Sequence, residues 1–144
     1  MDMHELSRYL FLAGAVPFLF LGLAHAIATP LHLGQTKGLS PVDAGLARAM
    51  SETPIRLTRR TNMWLAWVGF NLSHSLGAVV FGVVVLLIGR SAASFTAESG
   101  LFGPLAIVVS SGYLILGVRY WFRTPIVACG VSVVLFVSSW LLAR

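Results

Sequence analysis

Two histidines stand inside apolar segments of this chain: His25 in GLAHAIATP (22–30) and His74 in GFNLSHSLGAVVFG (69–82). Imidazole changes charge near neutral pH, and its neutral form is a common metal ligand. Three kinds of chemistry are therefore open to the pair. The rings can hydrogen-bond a neighbouring helix or the head group of a lipid or quinone. Either can ligate the metal of a haem or chlorophyll. They can also act as acid–base groups on a lipid-like substrate. Asn71, Ser75 and Tyr113 are the polar residues expected to complete such a ligand pocket.

Helical periodicity sorts these residues by face. Asn71, His74, Ser75, Ala78 and Gly82 fall on one face of their helix, while Gly69, Ser73 and Gly77 fall nearly opposite. Small residues at every fourth position let helix backbones approach closely, so Gly69, Ser73 and Gly77 read as a helix-packing face. His25 shares a face with Gly14, Phe18, Leu21, Gly22 and Thr29, and Pro17 should bend its helix or loosen the hydrogen bonding there. From the rise per residue, His25 and Asn71 lie roughly 7–11 Å below the membrane surface that carries the long basic loop. His74, Ser110, Ser111, Tyr113 and Ser132 fall at about 10–16 Å on the same measure. That difference is awkward for two axial ligands on one flat macrocycle. The other half of the membrane is almost wholly apolar, as in VVFGVVVLLIG and LFGPLAIVV. Interhelical hydrogen bonds contribute only about 0.6–2 kcal/mol each, so the number of polar groups in one leaflet favours a ligand over helix adhesion alone.

The elements that carry these residues follow from composition. Of 144 residues, 57% are hydrophobic and 10% charged, and mean hydropathy is +0.85. A membrane-spanning helix needs about 20 apolar residues. Four segments qualify: about 9–29, 64–89, 101–118 and 125–142. The runs are continuous and do not alternate as strands of a membrane barrel do, and a helix satisfies its own backbone in lipid. The expected fold is all-α, a four-helix transmembrane bundle forming a single domain over residues 1–144. Ala24-His25-Ala26 has the small residues of a leader-peptide cleavage site, but Asp2 and Glu5 precede the run where a leader would be basic. The first run is therefore expected to be retained.

Connections and charges add orientation. Lys37, Arg48, Arg56, Arg59 and Arg60 fall in the basic loop 30–63, and Arg119 and Arg123 fall between the third and fourth spans. Only Arg8, Arg90 and Arg144 lie on the other side. The positive-inside rule then places both termini outside the cytoplasm. Trp64, Trp67, Tyr120, Trp121 and Trp140 sit near the expected span ends, where interfacial aromatics gather. Arg59, Arg60, Arg119 and Arg123 read as snorkelling side chains or ligands of lipid phosphates. SPVDAGLARAM (40–50) reads as a short interfacial helix with Ser40 as N-cap and Pro41 at its first position. Residues 90–100 read as a short polar connection and 119–125 as a tight corner. The segments GLAHAIATP and GVRYWFRTP (117–125) share Gly, Thr and Pro spacing, as a duplicated hairpin would.

Several functions are excluded. Asp2, Glu5, Asp43, Glu52 and Glu98 all lie outside the expected spans, so no intramembrane carboxylate can couple protons or cations or bridge two metals. Phosphate-loop, covalent-haem and HExxH patterns do not occur. The single Cys129 allows no intrachain disulfide and no cysteine metal site, and reads as a packing residue. Four spans are too few for a monomeric channel. The Asn71-Leu72-Ser73 sequon lies within a span, where glycosylation is meaningless. The high pI, 10.4, reads as topology and attraction to anionic lipid, with no nucleic-acid partner.

LTRRTNMWLAWVGFNLSHSLGAVVFG (57–82), GLAHAIATP and YWFRTPI (120–126) resemble a group of small bacterial four-helix membrane proteins of uncharacterised function. The resemblance implies that fold and a bacterial inner-membrane location, and it assigns no activity and no catalytic residue. The leading expectation is a non-catalytic membrane protein. It would bind a lipid or quinone, or act as an accessory subunit beside other membrane subunits or as a homo-oligomer. The alternatives are an enzyme using His74 or His25, and a histidine-ligated haem or chlorophyll protein.

Overall fold

The computed structural model describes residues 2–144. Five helices and one minor hairpin follow one another: α1 (Met3–Ala28), α2 (Ala44–Glu52), β1 (Pro54–Ile55), β2 (Thr58–Asn62), α3 (Met63–Gly89), α4 (Ala92–Tyr120) and α5 (Arg123–Leu142). The fold is all-α, as expected. Helices α1, α3, α4 and α5 are each long and apolar enough to cross a membrane. Large apolar side chains such as Phe20, Phe70, Val108 and Val127 are more than 60% exposed on these four helices. A water-soluble surface does not tolerate apolar area spread over every long helix, and lipid does. The chain is a multi-pass membrane protein.

Polar residues set the helix ends, and they move several boundaries from those expected. Asp2 Oδ1 accepts the Glu5 N–H at 2.7 Å, so α1 starts well before the apolar run at Tyr9. Asn62 Oδ1 accepts the Leu65 N–H at 2.9 Å and opens α3. Residues 92–100 are not a connection. Ser91 caps α4 by accepting the Ser94 N–H at 3.1 Å, and the turn between α3 and α4 is only Arg90 and Ser91. The short helix is present, but Ser40 and Pro41 do not open it. Asp43 is its N-cap, accepting the Gly45 N–H at 2.7 Å. Ser40 instead ties the preceding loop, donating to the Gln35 carbonyl and accepting the Lys37 N–H. A carboxylate is the better partner for the positive helix end, which explains the shift.

The hairpin was not expected. Pro54 pairs with Asn62 and Ile55 with Thr58, with an irregularity between the pairs. The suggested duplication has no structural counterpart: Thr29 and Pro30 follow the end of α1, whereas Thr124 and Pro125 open α5. A proline in the first turn of α5 loses nothing, because that N–H has no intrahelical acceptor. Helix α1 continues through Pro17 to Ala28.

Packing divides the chain into two compact units, one comprising the chain up to Leu21 with Ala78–Arg144, the other Gly22–Gly77. In the first unit the core is aromatic. Phe11 lies 5.5 Å from both Phe95 and Phe136, and Phe18 lies 4.7 Å from Phe81 and 5.3 Å from Tyr113. Glycines let the backbones reach these rings: a Cβ on Gly14 would stand 2.5 Å from Phe136 Cε1, and one on Gly82 2.6 Å from Leu19 Cγ. Cys129 is buried in this core as a free thiol.

Serines lock the same unit. Ser7 Oγ donates to the Ser139 carbonyl at 2.7 Å, and Ser139 Oγ donates to the Ser7 carbonyl at 2.8 Å, joining α1 to α5 by two reciprocal bonds. Ser132 is equally buried, yet its hydroxyl meets no hydrogen-bond partner among the described residues. The two serines should therefore respond oppositely to truncation. Ser7→Ala should lower stability by about 0.6–2 kcal/mol. Ser132→Ala should be neutral or stabilising by up to about 1 kcal/mol, because it removes an unsatisfied polar group. Reversible unfolding in mixed micelles measures both; a marked loss on Ser132→Ala would contradict the assignment.

Candidate functional site

In the second unit, the last turn of α1 and the first half of α3 bring three of the expected pocket residues together. Thr29 closes α1: its hydroxyl donates to the His25 carbonyl at 2.8 Å and its N–H to the same oxygen at 3.0 Å. His25 is thereby held in a turn that ends immediately before Pro30. On α3, Asn71 is 4% exposed. Its Nδ2 donates to the Trp67 carbonyl one turn earlier, at 2.7 Å. A carbonyl can only accept, so this bond fixes the amide orientation and turns Oδ1 toward His25. Oδ1 stands 2.9 Å from His25 Nε2. The amide oxygen can only accept as well, so Nε2 carries the proton. The backbone of α3 thus sets the His25 tautomer through one amide, and in the neutral ring the lone pair resides on Nδ1.

His74 completes the cluster. Its ring centroid lies 5.1 Å from that of His25, with the planes inclined by 58°. Phe70, one turn earlier, is nearly parallel to His74 at 6.3 Å and 19°. Both histidines are half-buried. The arrangement is a partly accessible pair of imidazoles, with one ring's N–H oriented by a buried amide and the other backed by an aromatic face. With Nε2 engaged, His25 can only accept, through Nδ1, so the pair suits a hydroxyl, which both donates and accepts.

Other expected residues have different surroundings. Ser75 is buried on the expected face, but its hydroxyl donates to the Asn71 carbonyl at 2.9 Å, within its own helix. Tyr113 belongs to the other unit and meets Phe18 edge-on at 88°. Gly69, Ser73 and Gly77 are exposed, Ser73 donates to the Phe70 carbonyl, and a Cβ on Gly69 would meet nothing within 4 Å. Arg59 and Arg60 are exposed on β2, Arg119 in the last turn of α4, and Arg123 at the first residue of α5.

Metal ligation by the pair as trans axial ligands fits poorly. Two metal–nitrogen bonds of about 2 Å each, plus the distance from nitrogen to ring centre on both sides, separate such centroids by about 6 Å. The observed 5.1 Å is shorter, and His25 Nε2 is engaged by Asn71. Among the described residues no group of three His, Cys, Asp or Glu side chains is placed to hold a metal ion. Two contributors were missed from sequence, the Trp67 carbonyl and the Phe70 ring. The signal for both was one-turn spacing, to Asn71 and His74 respectively.

The fold and cluster define a class, a four-span helical membrane protein with a histidine pair, one ring of which is oriented by an amide. Comparison with family models, curated proteins and solved structures finds no match to this chain.

Proposed function

We propose that the protein is a non-catalytic component of a bacterial inner membrane that binds the polar head of a lipophilic ligand, a lipid or quinone, at His25, Asn71 and His74. The observation that carries this reading is the chain from the Trp67 carbonyl through Asn71 to His25 Nε2, with His74 at 5.1 Å. A helix-adhesion role would be served by one such hydrogen bond. With Nε2 held by Asn71, His25 turns its Nδ1 acceptor side away from the amide, and beside a second half-buried imidazole this suits one small hydroxyl-bearing head group, while exposed apolar flanks such as Phe70 and Ile27 accept its tail. Arg59, Arg60, Arg119 and Arg123 support the reading by offering cations to lipid phosphates, each worth about 1 kcal/mol near an anionic surface.

Mass spectrometry of lipids and quinones extracted from purified protein tests the proposal. A defined lipophilic molecule should accompany the wild-type chain and be depleted at least tenfold in a folded His74→Ala variant. Equal recovery from both would refute it. The excess of cations at 30–63 and 119–123 supports a cytoplasmic location for those segments, with both termini outside. A reporter enzyme fused to the C-terminus and active only after export should be active; activity solely of a cytoplasmic reporter would reverse the orientation.

A further inference from the structure

A second polar feature, independent of the histidines, lies where α3 passes into α4. The two helices form an open groove of about 440 Å³, within the range of small-molecule sites. Val84, Leu87, Ile88 and Phe102 line its apolar part; Arg90, Ser94 and Glu98 supply its polar part. Arg90 is the first residue beyond α3, and Glu98 lies in the second turn of α4. Both therefore stand where two membrane helices turn back, at the level of lipid head groups.

The charges are opposite, share one groove, and form no ion pair with each other among the described residues. Ser94 Oγ accepts a hydrogen bond from the Ser91 hydroxyl at 2.9 Å, which leaves the Ser94 proton to be donated outward. A cation and a hydroxyl donor suit a phosphate. A carboxylate nearby suits an ammonium group with N–H donors. The exposed Val84 and Leu87 suit an acyl chain.

We infer that this groove is a binding site for a zwitterionic phospholipid with a primary-amine head group, of the phosphatidylethanolamine class. Arg90 and Ser94 take the phosphate, Glu98 takes the ammonium, and the first part of one acyl chain lies along Val84, Leu87 and Phe102. A glycerol head group satisfies Arg90 but leaves Glu98 facing a net anion. A choline head group presents a cation without N–H donors.

Native mass spectrometry in detergent, titrating ethanolamine, choline and glycerol phospholipids with identical chains, tests the site. One charge near a membrane surface is worth about 1 kcal/mol, which is roughly a fivefold change in affinity. The wild-type chain should retain one ethanolamine lipid about fivefold more tightly than the glycerol lipid. Glu98→Gln should bring that ratio to about one, and Arg90→Gln should weaken all three lipids about fivefold. Both side chains are exposed, so the variants should keep wild-type helix content. Equal retention of ethanolamine and glycerol lipids by the wild-type chain, or an unchanged ratio in a folded Glu98→Gln variant, would overturn the inference.

Discussion

Gly14→Ala, the smallest substitution available, should destabilise the protein although alanine is the better helix former. Alanine in place of glycine gains about 1 kcal/mol within a helix. Against that stands a Cβ only 2.5 Å from Phe136 Cε1, 2.8 Å from its Cδ1 and 2.8 Å from its Cζ. The ring has no room to withdraw: Phe136 is fully buried, with Phe11 at 5.5 Å and Phe81 at 6.0 Å. Forcing a methyl into a packed core costs about 1–3 kcal/mol, so the net change should be a loss, and Gly14→Leu should lose more. In lipid the effect is packing itself, because the bilayer offers no hydrophobic drive between helices. Gly112→Ala is the internal control, since a Cβ there meets nothing within 4 Å. Unfolding in mixed micelles should separate the two glycines clearly; equal responses would mean that α1 does not pack on α5 as described.

Asn71→Leu should have the largest effect on the site. The substitution keeps the branched shape and removes both amide contacts, so the His25 N–H and the Trp67 carbonyl lose their shared partner. Each of the two lost hydrogen bonds has a net worth of about 0.5–1.5 kcal/mol, so stability should fall by about 1–3 kcal/mol. Ligand retention should fall about tenfold, equivalent to 1.4 kcal/mol, because His25 no longer has one imposed tautomer. Asn71→Asp restores an acceptor for His25 but cannot donate to the Trp67 carbonyl. It should recover the His25 contact only in part. Full retention by Asn71→Leu would show that His25 needs no orientation from α3.

The spans were legible because lipid demands long uninterrupted apolar runs, and no other element explains VGFNLSHSLGAVVFGVVVLLIG. Their ends were less legible. Asp2 and Ser91 extend α1 and α4 through polar residues whose composition reads as loop, and a side-chain cap is a geometric event that composition does not encode. The site followed the same division. Faces and depths paired His25 with Asn71, and these two residues meet. The same depths set His25 and His74 several ångströms apart. One helical turn is only about 5.4 Å, and two imidazoles on flexible stems close such a gap. Ser75 is buried, but whether a helical serine reaches outward or back to the carbonyl one turn earlier, as Ser75 does to Asn71, is a rotamer choice. Sequence periodicity carries no information on it.

The most direct test of the histidine cluster is side-chain ¹⁵N NMR of the protein in lipid nanodiscs, with histidine labelled. The chain has four histidines, and His4 and His32 are exposed outside the cluster, so they serve as references. In the wild-type protein, His25 should appear as the Nε2-protonated tautomer. Titration with decyl-ubiquinone or a short-chain phospholipid should shift the His25 and His74 resonances together and saturably, leaving His4 and His32 unmoved. A His25 ring protonated on Nδ1 alone, or a cluster that neither probe perturbs, would contradict the account.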